Sequence, residues 1–123
     1  MARVRRASVA VTLLAAGLTL SSCGSGGAVA QARLSCGFVG RALHLQAQSE
    51  ASGLTTAQRE KLRADAMSEL LKGTQAAANA TSLDGSWNPL QTTINEAERV
   101  PLQDLVPALT RLCKVANSST PYL

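Results

Sequence analysis

Cys36 and Cys113 lie 77 residues apart, near the two ends of the stretch that carries helical periodicity. In an oxidising compartment they form one disulfide that ties the start of a domain to its end. Closing so long a loop is worth about 4–5 kcal/mol on the chain-entropy account. The spacing is far from the Cys-x-x-Cys of redox motifs, and two distant thiols make no zinc site. Such a tie suits a chain whose core must be thin. Phe38, Trp87 and Tyr122 are its only aromatic residues. Leu, Ala, Val and Ile must therefore supply nearly all the burial, and small exported domains with little core commonly rely on disulfides.

The compartment follows from the first 30 residues. Arg3, Arg5 and Arg6 form a positive n-region, and Val9 to Leu20 is an apolar run broken only by Thr12, Gly17 and Thr19. Its length suits a secretory h-region and falls short of the roughly 20 residues needed to span a bilayer. Leu20-Ser21-Ser22-Cys23 follows at once. A branched apolar residue, two small residues and a cysteine resemble the lipobox of bacterial lipoprotein precursors. That resemblance implies cleavage before Cys23, a diacylglyceryl group on its thiol and attachment to the outer face of the cell membrane. Two acyl chains exceed the marginal hold of one, because each buried methylene contributes about 0.8 kcal/mol. A competing signal, Ala28-Val29-Ala30, would release a secreted chain beginning at Gln31. It stands ten residues beyond the apolar run, whereas the lipobox abuts the run and accounts for the cysteine. The expected organisation is a signal peptide over 1–22, a lipidated Cys23 with a flexible tether to residue 29, a helical domain over 30–117 and a polar tail over 118–123.

Removing the leader changes the charge. The chain carries 12 Lys and Arg against eight Asp and Glu, but three of the arginines lie in the leader. From Cys23 onward nine basic residues face eight acidic ones, a net charge of +1. No basic run with interleaved aromatics is present, so nucleic acid is not an expected partner.

The mature chain reads as all-α. A first helix is expected from about Val29 to Gln48, with Leu34, Phe38, Arg41 and Leu45 beside Val39 and Leu43 as its mostly apolar stripe. Gly37 and Gly40 weaken that helix but permit a close neighbour. Thr55 with Gln58 has a capping-box pattern and opens a second helix to about Ala80, whose face is Leu62, Ala66, Met67, Leu70 and Leu71. Leu83 to Ser86 is a turn. Asn88 as cap and Pro89 at the first position start a third helix with Leu90, Ile94 and Ala97 inward. Pro101 interrupts the chain, and Asp104 caps a fourth helix with Pro107 in its first turn and Leu105, Leu109, Leu112, Cys113 and Ala116 on one side. The expected fold is a small four-helix bundle with one disulfide.

Chemistry is sparse. Catalysis needs a nucleophile, a base and a group to orient them. His44 is the only histidine, and it sits between Leu43 and Leu45 in a helical segment. Glu96 and Glu98 are two apart, on different helix faces. No G-x-S-x-G, H-E-x-x-H or phosphate-loop pattern occurs. Trp87, just ahead of the third helix, is a candidate ligand contact or a lid on the helix entrance. A helical domain bounded by two cysteines, with Pro101-Leu102-Gln103-Asp104-Leu105 upstream of the second, is also loosely similar to exported haemophore-like domains of actinobacteria. That resemblance implies haem binding and carries over one position only, His44. The family's Tyr and His-Pro ligands have no match here, since Leu45 follows His44. The expectation is a non-enzymatic surface lipoprotein that uses no cofactor or metal and binds an envelope protein or a small apolar ligand. A haem or lipid carrier is the alternative.

Overall fold

A computed structural model describes residues 25–121. Among them the chain forms α1 (Ser25–Ser49), α2 (Thr56–Lys72), α3 (Thr74–Leu83), α4 (Asn88–Glu96) and α5 (Leu102–Ala116), with a single 3-10 turn at Gly85–Trp87 before α4. No described residue lies in a strand. The second expected helix is present as two, α2 and α3, so four helical rods pack into one bundle. Cys36 and Cys113 are joined, with their Cα atoms 5.4 Å apart. No described helix is long and apolar enough to cross a membrane. The lipobox and Tyr122 lie outside the described residues.

The centre of the bundle is α1. Seven of its buried positions, Ala28, Ala32, Ser35, Val39, Ala42, Gln46 and Ser49, follow a strict alternation of four and three residues, with Val29 and Cys36 buried beside that row. Ala66, Leu70, Gly73, Ala77 and Ala80 repeat the alternation on α2 and α3. This is the spacing of a coiled-coil seam, carried here mostly by small residues that let helix axes approach. The two sides run antiparallel: Arg41 meets Glu69, Ser35 meets Gly73, Gln31 meets Asn79 and Gly27 faces Leu83. On its other flank α1 holds α5, also antiparallel, through the disulfide and through Arg33. The guanidinium of Arg33 donates to the carbonyls of Ala116 and Ser118, at 2.8 and 3.0 Å. It thus satisfies acceptors that the end of α5 leaves free and opposes the negative end of its dipole. Larger side chains from the other elements, Trp87, Leu90, Ile94, Leu109 and Leu112, complete the same core.

Several local expectations are corrected. The apolar stripe expected on the first helix is only partly its core face: Val39 is fully buried and Leu43 and Leu45 pack against the core, but Leu34 is 53% exposed, Phe38 is half-buried, and small residues take most of the interior. The tether expected up to residue 29 is helix from Ser25, because Ala28 and Val29 are buried at 0% and 8% exposure. Packing there outweighs the poor helix propensity of the glycines. Trp87 rather than Asn88 holds the cap position of α4, because Asp84 accepts the Ser86 N–H and winds the preceding turn directly into the helix. Pro101 caps α5, with Asp104 inside the first turn and Pro107 in the helix interior, where it withholds the donor that the Gln103 carbonyl would accept. The Thr55–Gln58 capping box is present in both directions, at 3.1 and 2.9 Å.

Gly73 divides the second rod for a steric reason. Ser35 Oγ donates to the Gly73 carbonyl at 2.9 Å in a fully buried contact. A Cβ at position 73 would stand 3.1 Å from both the carbonyl oxygen and Oγ of Ser35. Backbone on one side cannot retreat as a side-chain tip can. Gly73→Ala is therefore expected to destabilise the bundle by about 1 kcal/mol, overpacking outweighing the gain in helix propensity. Urea unfolding measures this; a stability equal to or above the parent's would refute the account.

Candidate functional site

A broad concavity lies on the outward face of α1. Cys36, Gly37, Gly40, Arg41 and His44 recur at spacings of one helical turn, and with Leu45 of α1 and Glu69 of α2 they line an open groove of about 600 Å³. Its floor is helix backbone. A Cβ built on Gly37 or Gly40 meets nothing within 4 Å, so the neighbour these glycines permit is not supplied by the described residues. In an exposed helix interior each glycine costs about 1 kcal/mol relative to alanine.

One wall is charged and ordered. Arg41 sets its guanidinium carbon 4.7 Å from the Phe38 ring centroid and its Nε 3.2 Å from Glu69 Oε2. Lys72 also pairs with Glu69. These donors hold the Glu69 carboxyl below its ordinary range, the Lys72 hydrogen bond first and the Arg41 hydrogen bond second, against a smaller opposing effect of burial. At the far end His44 is exposed, its Nε2 3.2 Å from the Gln48 side-chain nitrogen.

The Cys36 sulfur is locked in the disulfide, and Glu69 already serves two cations. Among the described residues no three His, Cys, Asp or Glu side chains converge to hold a metal. Haem fits poorly. His44 offers one imidazole, none of the other lining side chains is a usual axial ligand, and the open groove would leave much of a macrocycle in water, whereas ligand sites bury most of their guest. Trp87, the other candidate contact, is 1% exposed and packs in the core beside the entrance to α4 rather than lining the groove. Of the groove residues only His44 stood out in the sequence as a possible binding residue. The signal for the others was the glycine pair inside an otherwise regular helix.

Glu69 titration tests the charged wall. A carboxyl depressed by folding favours the folded state above its unfolded value and loses that effect as pH falls through its folded value. Its NMR titration midpoint is expected below the usual value of about 4.3 for glutamate. Lys72→Ala should raise the midpoint more than Arg41→Ala; no movement in either variant would show that the pairing does not persist in solution. Known protein-family models do not match this chain, and comparison with characterised proteins and with solved structures finds no significant similarity.

Proposed function

We propose that this chain is a membrane-anchored extracytoplasmic lipoprotein whose helical bundle is a non-enzymatic binding module for an envelope protein. The observation that carries the anchored reading is the burial of Ala28 and Val29 inside α1. Cleavage after Ala30 would discard the first turns of α1 together with two core residues. Cleavage before Cys23 keeps the helix whole. The disulfide agrees with an oxidising compartment outside the cytoplasm.

Protein contact is favoured over ligand carriage by where the open space lies. The best-formed concavities are surface grooves at helix seams, not enclosed chambers. The unpartnered glycine floor of α1 suits the close approach of another backbone.

Two experiments test the two halves. In full-length protein made in a bacterium, Cys23→Ser should abolish lipidation and shift the protein from the detergent phase to the aqueous phase. Unchanged partitioning, or a mature parent protein starting at Gln31, would overturn the anchor. For the groove, Gly37→Ala with Gly40→Ala should raise stability by about 1–2 kcal/mol, since alanine is the better helix former and meets no obstruction. The same variant should lose proximity crosslinks formed on intact cells by a photoreactive group at His44. Crosslinks retained at parental yield would remove the groove from the binding surface.

A further inference from the structure

The end of the bundle where α1 begins carries a second unexplained surface. Gly27, Gln31 and Leu34 are spaced at four and three residues and share one face of α1. Beside them lie Asn79 and Leu83 of α3: the Asn79 amide nitrogen is 3.4 Å from Gln31 Oε1, and Leu83 Cδ1 would be 3.7 Å from a Cβ on Gly27. Leu34 and Leu83 are 53% and 41% exposed, two of the three large apolar side chains exposed among the described residues. Between them Gln31, Asn79, Ser82 and Leu83 form a small recess of about 270 Å³.

Position and charge identify what covers this strip. The first residue of α1 is only two residues beyond Cys23, a reach of at most about 7 Å for an extended chain. Given the acylated Cys23 proposed above, on which this inference rests, the bilayer surface therefore lies within a few ångströms of the first turn of α1. Leu34 is nine residues along the helix, about 13 Å from its start at 1.5 Å per residue. Both leucines can reach the interface only if α1 is tilted with this strip facing down. Charge permits that posture. Neither α1 nor α3 contains an acidic residue, and α3 contains no charged residue of either sign. The nearest carboxylate in sequence, Asp84, is turned into its own backbone, accepting the Ser86 N–H. The other seven acids lie elsewhere: Glu50 in the connection after α1, Glu60, Asp65 and Glu69 on α2, Glu96 and Glu98 at and just beyond the end of α4, and Asp104 in the first turn of α5.

We infer that the bundle rests on the membrane through the α1–α3 strip, with Leu34 and Leu83 entering the lipid interface and the amides of Gln31 and Asn79 facing headgroups. The anchor thus fixes an orientation as well as a location, and a lipid surface is the partner of this second face.

Nitroxide accessibility in the full acylated protein tests this. Labels are placed at Leu34→Cys, at Leu83→Cys and at Ser52→Cys, an exposed position in the connection after α1. The protein is reconstituted into vesicles of phosphatidylcholine and phosphatidylglycerol, and Cys23 acylation is verified by mass spectrometry. Positions 34 and 83 should show a several-fold drop in collision with a water-soluble nickel complex and a rise with oxygen, whereas position 52 should show neither. Leu34→Glu should restore nickel access at position 83 while the protein stays membrane-bound. Equal water access at all three positions with acylation verified would overturn the orientation and leave the anchor standing. Absence of acyl chains would overturn the anchor and this inference with it. Protection that grows with protein density in the membrane would assign the strip to a second copy and overturn it as well.

Discussion

The close approach of α2 and α3 to α1 rests on side chains that take up almost no space. Along the seam Ala28, Ala32, Ser35 and Ala42 face a partner row of Ala66, Gly73, Ala77 and Ala80, with Val39 and Leu70 as the larger members. Small side chains bury little area each, so burial alone yields little at each position. What they allow is proximity, and proximity brings backbone and short polar groups into use. The Ser35 hydroxyl reaches the Gly73 carbonyl only because neither residue holds the helices apart. A buried hydroxyl left unpartnered would cost about 1–3 kcal/mol, so the break in the second rod and the serine opposite it depend on each other.

The opposite flank of α1 is secured differently. Larger residues, Leu109 and Leu112 on α5 with Leu90 and Ile94 on α4 and Trp87 before it, fill the volume that the alanines leave. The Cys36–Cys113 bond then fastens α5 near the middle of α1. The division between a close-packed small side and a bulky, covalently fastened side follows from a composition with three aromatic residues and abundant alanine. One half of the core gains from closeness, the other from volume and a crosslink.

How much of this was legible in the sequence depended on the size of the side chains involved. The inward faces of α4 and α5, built from Leu90, Ile94, Leu109, Leu112 and Ala116, followed from simple periodicity because large apolar residues mark them. The capping box at Thr55 is local chemistry and was equally plain. The face of α1 was misjudged because the larger residues Leu34 and Phe38 outweigh alanine, serine and glutamine on any hydrophobicity count. The true seam shows only in the spacing of small residues. The break at Gly73 depends on Ser35, 38 residues earlier, and no local rule reaches that far. Within the candidate site His44 was visible as the sole imidazole. Arg41 and Glu69 meet only once α1 and α2 pair, and of the two readings of Trp87 the structure has the packed one, since it is buried just after the turn made by Asp84.

The glycines of the groove owe their helical state to these same restraints. Gly37 and Gly40 would weaken an isolated helix where they stand, yet α1 runs through them without interruption. On one side of the pair the chain is held by Ser35 against Gly73 and by Cys36 against Cys113; on the other, Arg41 is held by Glu69 and stacks over Phe38. The weakest stretch of the helix therefore lies between its firmest attachments. For the protein partner proposed above, this floor would present backbone already ordered by folding, so the ordering cost that a flexible surface imposes at the moment of association would be avoided.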